Sequence, residues 1–215
     1  MKTNGHLSLS IFTVIALLLA SCQVEHPPNF SDKDLERVAV EVAEPEEQTN
    51  DHPIEQYYHQ LIKALATGDS TDFNRLVHPE FGCYLIESPG AIPIITRVTN
   101  IEMIIQSGAG RPVLDFSSIL RSLELKEEVL PVVDCDSPDG FYTKSGTFVQ
   151  DINTLAELKI WEHIGLKDTD QVPISKLAKT VKKTIVNTLG FTLYFSQINE
   201  GWYLTFFDIR IPCTA

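Results

Sequence analysis

FTLYFSQINEGWYLTFFDIRI, residues 191–211, is the stretch whose reading decides the fold. Two runs rich in aromatic and β-branched residues, Phe191 to Ile198 and Trp202 to Ile211, flank Asn199-Glu200-Gly201. A short loop between such runs, with Asn and Gly available for left-handed backbone, spells a β-hairpin. In the second run, strict alternation places Trp202, Leu204 and Phe206 on one face and Tyr203, Phe207 and Ile209 on the other. Apolar residues on both faces predict a strand covered on both sides and interior to its sheet. Trp202, which opens it, is expected to be largely buried.

Before this hairpin, Ile174, Leu177, Ala178, Val181 and Ile185 share a helical stripe, with Pro173 at its start and Gly190 beyond its end. Leu155, Leu158, Trp161 and Ile164 make a similar stripe. Glu128 to Val133 reads as a strand, with Phe141 to Val149 as its hairpin partner across Ser137-Pro138-Asp139-Gly140. At the front, Ile54, Tyr57, Tyr58, Leu61, Ile62 and Leu65 follow the i, i+3, i+4, i+7 rule, between Pro53 and Gly68. A short second helix carries Phe73, Leu76 and Val77, capped at Asp69, Ser70 or Thr71 and stopped at His78-Pro79. Cys83 to Ile86 and Ile92 to Val98 read as strands, and Asn100 caps a helix through Ile105. The class is α+β, over one domain spanning 53–215.

Residues 23 to 52 differ in kind. They are acidic, broken by Pro27, Pro28 and Pro45, and hold one aromatic, Phe30. Such composition disfavours a core. The segment reads as a flexible acidic tether over 22–52, in which Val38, Val40 and Val42 alternate as an edge strand would, with a transient helix after Ser31 the equal alternative. Ahead of it stand Lys2, the apolar run Leu7 to Ala20, and then Leu19-Ala20-Ser21-Cys22. The run falls short of the roughly 20 residues that cross a bilayer and has the flanks of a signal peptide over 1–21. This tetrad resembles the lipobox of bacterial lipoproteins. The resemblance implies cleavage before Cys22, lipidation of its sulfur and a membrane anchor. Gln23, where Asp would signal inner-membrane retention, implies the outer membrane, on its periplasmic or surface face.

The chain has 215 residues and a net charge of −12. That charge argues against nucleic acid as a partner. Apart from Cys22, three cysteines remain, Cys83, Cys135 and Cys213. An oxidising envelope permits one disulfide, and all three pairings stay open.

Leu65-Ala66-Thr67-Gly68-Asp69, then Phe73-Asn74-Arg75-Leu76-Val77-His78-Pro79, and at the far end Phe191 to Phe195 with Gly201-Trp202-Tyr203-Leu204-Thr205, carry a second resemblance. They are similar to the opening helices, the His-Pro exit and the closing aromatic hairpin of the NTF2-like, or cystatin-like, superfamily. The resemblance implies N-terminal helices packed on a curved antiparallel sheet and a cone-shaped pocket between them. Residues 100 to 189 hold more helix than that fold uses, so extra helices are expected in the middle. Some members act on small molecules in the pocket, and many only bind.

Candidate site residues are few. Asp208, in an apolar strand, suits a general acid or base if its environment raises its pKa; pairing with Arg210 as the strand leaves the core is the preferred reading. His78 and Tyr84 could share a pocket, though His-Pro at a helix exit is ordinary stop chemistry. Asp134, Asp136 and Asp139 miss the spacing of a calcium loop, since Pro138 and Ser145 fall at ligand positions. Lys176, Lys179, Lys182 and Lys183 read as a solvated helix face. No catalytic triad, zinc spacing or phosphate loop is found, Gly108-Ala109-Gly110 included, and no metal or cofactor is expected. The function expected is a membrane-tethered lipoprotein binding a small ligand or an envelope protein. The alternative is a pocket enzyme doing proton-transfer or hydrolytic chemistry.

Overall fold

Helix α1 (Ile54–Thr67) buries the stripe that its spacing predicts: Ile54, Tyr58, Leu61, Ile62 and Leu65 face inward. It opens the domain in the computed structural model, which describes residues 54–108, 116–120, 124–138, 140–164 and 168–213. The leader, Cys22, the tether, Pro53, Asp139 and residues 109 and 110 of the glycine run lie outside the described residues. Gly68, at a φ of 69°, takes the left-handed exit that a side chain would resist. Asp69 then caps helix α2 (Ser70–Leu76), accepting from the backbone N–H groups of Thr71 and Asp72 at 2.9 and 3.1 Å.

The remaining elements are strands β1 (Cys83–Glu87) and β2 (Ile94–Val98), helices α3 (Ile101–Gly108) and α4 (Phe116–Leu120), strands β3 (Leu125–Glu127) and β4 (Thr147–Gln150), helix α5 (Thr154–Leu158), a 3-10 turn (Ile160–Glu162), helix α6 (Asp168–Ala178), and strands β5 (Val181–Asn187), β6 (Phe191–Ile198) and β7 (Gly201–Asp208). Asn100 caps α3 as expected, its side-chain oxygen 3.1 Å from Met103 N. The seven strands form one sheet in the order β2-β1-β7-β6-β5-β4-β3. β7 is interior, as its composition requires.

The sheet is mixed, which corrects the antiparallel expectation. β1 pairs with β7 in parallel, and β3 with β4. No tight turn joins either pair, so nothing imposes the antiparallel sense. Helices cover both faces. On the first, α1 to α4 bury Leu61, Phe73, Ile104 and Phe116 against Leu85, Ile185, Leu193, Phe195, Leu204 and Phe207. On the second, α5, the 3-10 turn and α6 bury Leu155, Trp161, Ile174 and Leu177 against Tyr84, Tyr194 and Phe206. Burying each such large side chain contributes roughly 1.5–3 kcal/mol. The extra middle helices are thus divided: α3 and α4 extend the first cover of the sheet, and α5, the 3-10 turn and α6 form the second.

Tyr58 links α1 to the sheet through a polar cluster. Its hydroxyl lies 3.3 Å from Thr147 Oγ1 and accepts from Asn187 Nδ2 at 3.4 Å, while Asn187 also donates to Thr147 at 2.9 Å. All three residues are buried, so their polar atoms satisfy one another in place of water.

Several expectations fail for identifiable reasons. Residues 181–187 are a strand, although Val181 and Ile185 continue the stripe of α6; Val181, Thr184, Ile185 and Val186 are β-branched and pack better on a pleated surface. Pro173 lies inside α6, not at its start. The Leu155 stripe breaks at Lys159, whose φ of 43° ends α5, and Leu158 turns out to solvent. Glu128 to Val133 is not a strand. Its ladder with the expected partner is reduced to the isolated bridge Val133–Tyr142, because Pro131 lacks an N–H and Leu130 N donates to Gln150 Oε1 instead.

The closing hairpin carries the most instructive correction. Its turn residues Asn199 and Glu200 both have positive φ, as a two-residue loop needs. Midway along, Tyr194 pairs with Phe206 but Phe195 pairs with Leu204, so Thr205 is an extra residue, a β-bulge. The bulge inverts the alternation beyond it. Leu204 and Phe207 face the first core while Phe206 faces the second. Trp202 is only half-buried at the end of the sheet, with Lys183 Nζ 5.6 Å from its ring centre.

Candidate functional site

The bulge decides where Asp208 points. Tyr84 pairs with Phe206 and Ile86 with Asp208, and all four side chains belong to the second face. Asp208 therefore shares a face with Phe206, not with Trp202 and Leu204 as strict alternation predicts. It is buried, and Arg210 is folded back onto it. The Arg210 guanidinium donates from Nε at 3.0 and 3.1 Å to the two carboxylate oxygens and from Nη2 at 2.7 Å. The Arg210 backbone N–H adds a bond at 3.0 Å. Every carboxylate oxygen is thus engaged by an ionised donor, the strongest protein hydrogen bonds. This is the paired arrangement anticipated from the sequence, and it leaves Asp208 no free lone pair aimed at a substrate.

Tyr84 stacks on Phe206 with ring centres 5.7 Å apart, and burial pushes its phenol pKa up. His78 sits at the turn before β1, on the same side. Its ring packs on Phe81 at 4.5 Å and meets the edge of Tyr203 at 4.8 Å. His78 Nδ1 accepts from the backbone N–H groups of Glu80 and Phe81 at 3.2 and 3.3 Å. Burial holds its pKa below the usual range, with Glu80 opposing weakly. All three sequence candidates therefore reach one face of the sheet, where the Asp208 carboxylate is paired with Arg210, His78 Nδ1 accepts from its own turn and the Tyr84 ring stacks on Phe206.

Two tyrosines that the sequence reading passed over complete this region. Tyr142 and Tyr194 both have phenols pushed up by burial and, next, by the charge of Asp208. Tyr142 arrives from a finger, residues 130–138 and 140–144, in which it bridges to Val133. Its base is fixed where Lys144 Nζ sits 4.1 Å above the Phe148 ring and pairs with Glu128 at 3.0 Å. Within it, Asp134 N donates to Phe141 O and Thr143 N to Val132 O, both at 2.9 Å. Val132, Val133 and Phe141 are exposed on the finger and Val129 just before it. The apolar character of this segment was legible, but it reads as a strand that would hide it.

A cleft of about 290 Å³ lies elsewhere, at the β3–β4 corner of the first face, lined by Glu127, Glu128, Val129, Val149, Gln150, Asp151 and Lys183. Lys183 pairs with Asp151. It reaches the cleft because a second bulge, between Val181 and Lys183, inverts the alternation there and puts Lys183 on the face opposite Val181. The four lysines thus do not form one helix face: Lys176 and Lys179 belong to α6 and its exit, Lys182 and Lys183 to β5.

Cys135 and Cys213 form a disulfide, which resolves the three open pairings. Cys83 is a buried free thiol whose pKa burial pushes far up, so it is unreactive. No group of three or more His, Cys, Asp or Glu that could hold a metal occurs among the described residues. No described helix is long and apolar enough to cross a membrane. Comparison with family models, with curated proteins and with solved structures yields no match.

Proposed function

We propose that the chain is a lipid-anchored protein of the bacterial envelope, held through Cys22 and spaced from the bilayer by residues 23–52, whose domain binds a partner protein. The domain itself is a divergent relative of the NTF2-like fold. The two opening helices, the His78-Pro79 exit and the Trp202-Tyr203 hairpin favour that kinship, while the second layer of helices departs from the simple form. Two or three acyl chains hold such a domain durably, each buried CH₂ contributing about 0.8 kcal/mol. The outer membrane follows from Gln23 in the lipobox reading.

The observation that carries partner binding is the finger. Val129, Val132, Val133 and Phe141 stand in water within one short segment, at 72%, 65%, 50% and 37% exposure. Exposed apolar clusters rimmed by charge, here Glu128, Asp134 and Asp136, mark protein contacts more often than chemistry. The pocket-enzyme alternative loses ground because Asp208, His78 and Tyr84 are all engaged in packing or pairing. The cleft at Lys183 favours a small ligand as the second reading. A photo-crosslinking residue at Val133 in living cells is expected to give one discrete protein adduct, and the same probe at exposed Val172 of α6 none. The absence of an adduct at Val133, or equal labelling at both sites, refutes the reading.

A further inference from the structure

The two edges of the sheet are finished differently. β3 closes one side with three residues, of which Lys126 and Glu127 are charged, and Glu124 stands just ahead. Short length and charge are how sheet edges are kept from pairing. β2 closes the other side with five residues, Ile94-Ile95-Thr96-Arg97-Val98, in unbroken register with β1 and with neither Lys nor Pro among them. Among the described residues, no backbone group of Ile94–Val98 is hydrogen-bonded outside the β1 ladder. Such an edge leaves N–H and C=O groups unpaired and aimed outward. Ile94 is 46% exposed beside it, and Ile92 just ahead 65%. The strip is also free of carboxylates on an acidic chain, since none lies between Glu87 and Glu102. Val98 packs in the first core and Ile95 against the second, so alternation puts Ile94, Thr96 and Val98 on one face and Ile95 and Arg97 on the other.

We propose that the β2 edge pairs with β2 of a second copy of this chain, antiparallel and centred on Thr96, joining two sheets into one across a two-fold axis. An isologous contact needs a surface that matches itself, and this strand does. In that register Ile94 faces the partner's Val98 and Thr96 faces the partner's Thr96, aliphatic on aliphatic and Thr on Thr, both favoured cross-strand pairs. Ile95 faces the partner's Arg97, whose aliphatic stem covers it while the guanidinium stays in water. No two like charges stand directly opposite. Other centres are worse. Centring on Arg97 would set two guanidiniums face to face, and centring on Ile95 would bring Pro93, which has no N–H, into the ladder. The Thr96 register is therefore the one that uses all five residues of β2. So short a contact belongs with small, reversible interfaces, and a trap specific for the register is the way to read it. The finger belongs to a different segment, so this pairing stands whether or not the finger meets a partner.

Cysteine crosslinking tests it in cells that make the full chain, with a mild oxidant added and the products separated without reductant. Thr96→Cys is expected to give a covalent dimer at least about fivefold above the parent chain, because directly opposed Cβ atoms lie only about 4.5–5.5 Å apart. Ile95→Cys or Arg97→Cys alone should give no dimer beyond the parent, whereas the two variants made together should give the mixed dimer. The mixed pair leaves Thr96 untouched, so a folding defect in one variant does not remove the test. Absence of the dimer from a protease-resistant Thr96→Cys chain, or absence of the mixed dimer, overturns the proposal. Equal yield from Ile95→Cys alone also overturns it, because random collision would then explain the products. A Thr96→Cys product of another mass overturns it too, since a different protein would then occupy the edge.

Discussion

Replacing Asp208 by Asn removes one charge from a pair that the fold encloses, and the structure sets the size of the effect. The Asp208 side chain is 7% exposed and that of Arg210 26%. Breaking a buried ion pair from one side costs about 3–5 kcal/mol, because the other charge is left without compensation. In Asp208→Asn the stranded group is Arg210, whose partly open guanidinium can turn toward water, so the lower end applies, about 3 kcal/mol. In Arg210→Met the stranded group is the Asp208 carboxylate, which keeps only the backbone N–H of residue 210 at 3.0 Å. The upper end applies there, about 5 kcal/mol. Removing both charges in Asp208→Leu/Arg210→Met should return the protein to within about 1 kcal/mol of the parent, since apolar replacements of similar volume are often neutral. For a domain of this size about 3 kcal/mol corresponds to roughly 6–12 °C in Tm. The assay is urea and thermal unfolding followed by the fluorescence of Trp161 and Trp202, with the disulfide intact. An Asp208→Asn variant within 1 kcal/mol of the parent (about 2–4 °C) refutes the reasoning, as does a double variant no better than Arg210→Met.

Other expectations bear on separate features. Phe207→Ala, at a site with no exposure, should cost about 3–5 kcal/mol, whereas Trp202→Ala should cost no more than about 2; denaturant unfolding that ranks them the other way contradicts the bulged register. His78 has a lowered folded pKa, so its contribution is full above the unfolded value near 6.5 and is lost as pH falls toward the folded one. Stability measured from pH 7 to 5 should therefore decline in the parent and decline less in His78→Asn, whose side-chain oxygen can still accept from the turn. Gly82→Ala should destabilise by roughly 1–3 kcal/mol, because residue 82 has a φ of 73° and an added Cβ would lie 2.9 Å from Arg97 Nε; a neutral result in chemical unfolding would refute both the backbone strain and the clash. Cys22→Ser should abolish lipidation, and a processed variant that still partitions into detergent would refute the anchor.

What the sequence made legible is whatever short-range chemistry decides. The α1 stripe, a cap among Asp69, Ser70 and Thr71, the Asn100 cap and the turn at Asn199 and Glu200 each follow from local spacing or local hydrogen bonding, and the structure bears each out, choosing Asp69 for the cap. The failures arise where two periods coincide or where a distant partner chooses. Val181 and Ile185 satisfy a helical stripe, yet β6 and β4 claim that segment as the strand between them. Thr205 looks like any alternating strand residue, and only its pairing partners reveal it as surplus. Asp208 was correctly matched to Arg210 because the two are close in sequence. Tyr142 and Tyr194 were not, since they reach that pair from another segment and from across the sheet. The cleft at Lys183 depends on a bulge that no composition signals.

The parallel contact of β1 with β7 has a temporal consequence. Tyr84, Leu85 and Ile86 find their partners Phe206, Phe207 and Asp208 only after more than half of the chain has followed them. The β1–β2 hairpin thus lacks one flank of its sheet until the last strand is delivered, and pairings so distant in sequence close slowly. For a chain exported from its leader end, as the proposed lipobox requires, late closure keeps the polypeptide threadable throughout its passage. In such an export, folding would complete only after β7 has crossed, with β1 and β2 waiting for it on the membrane's far side.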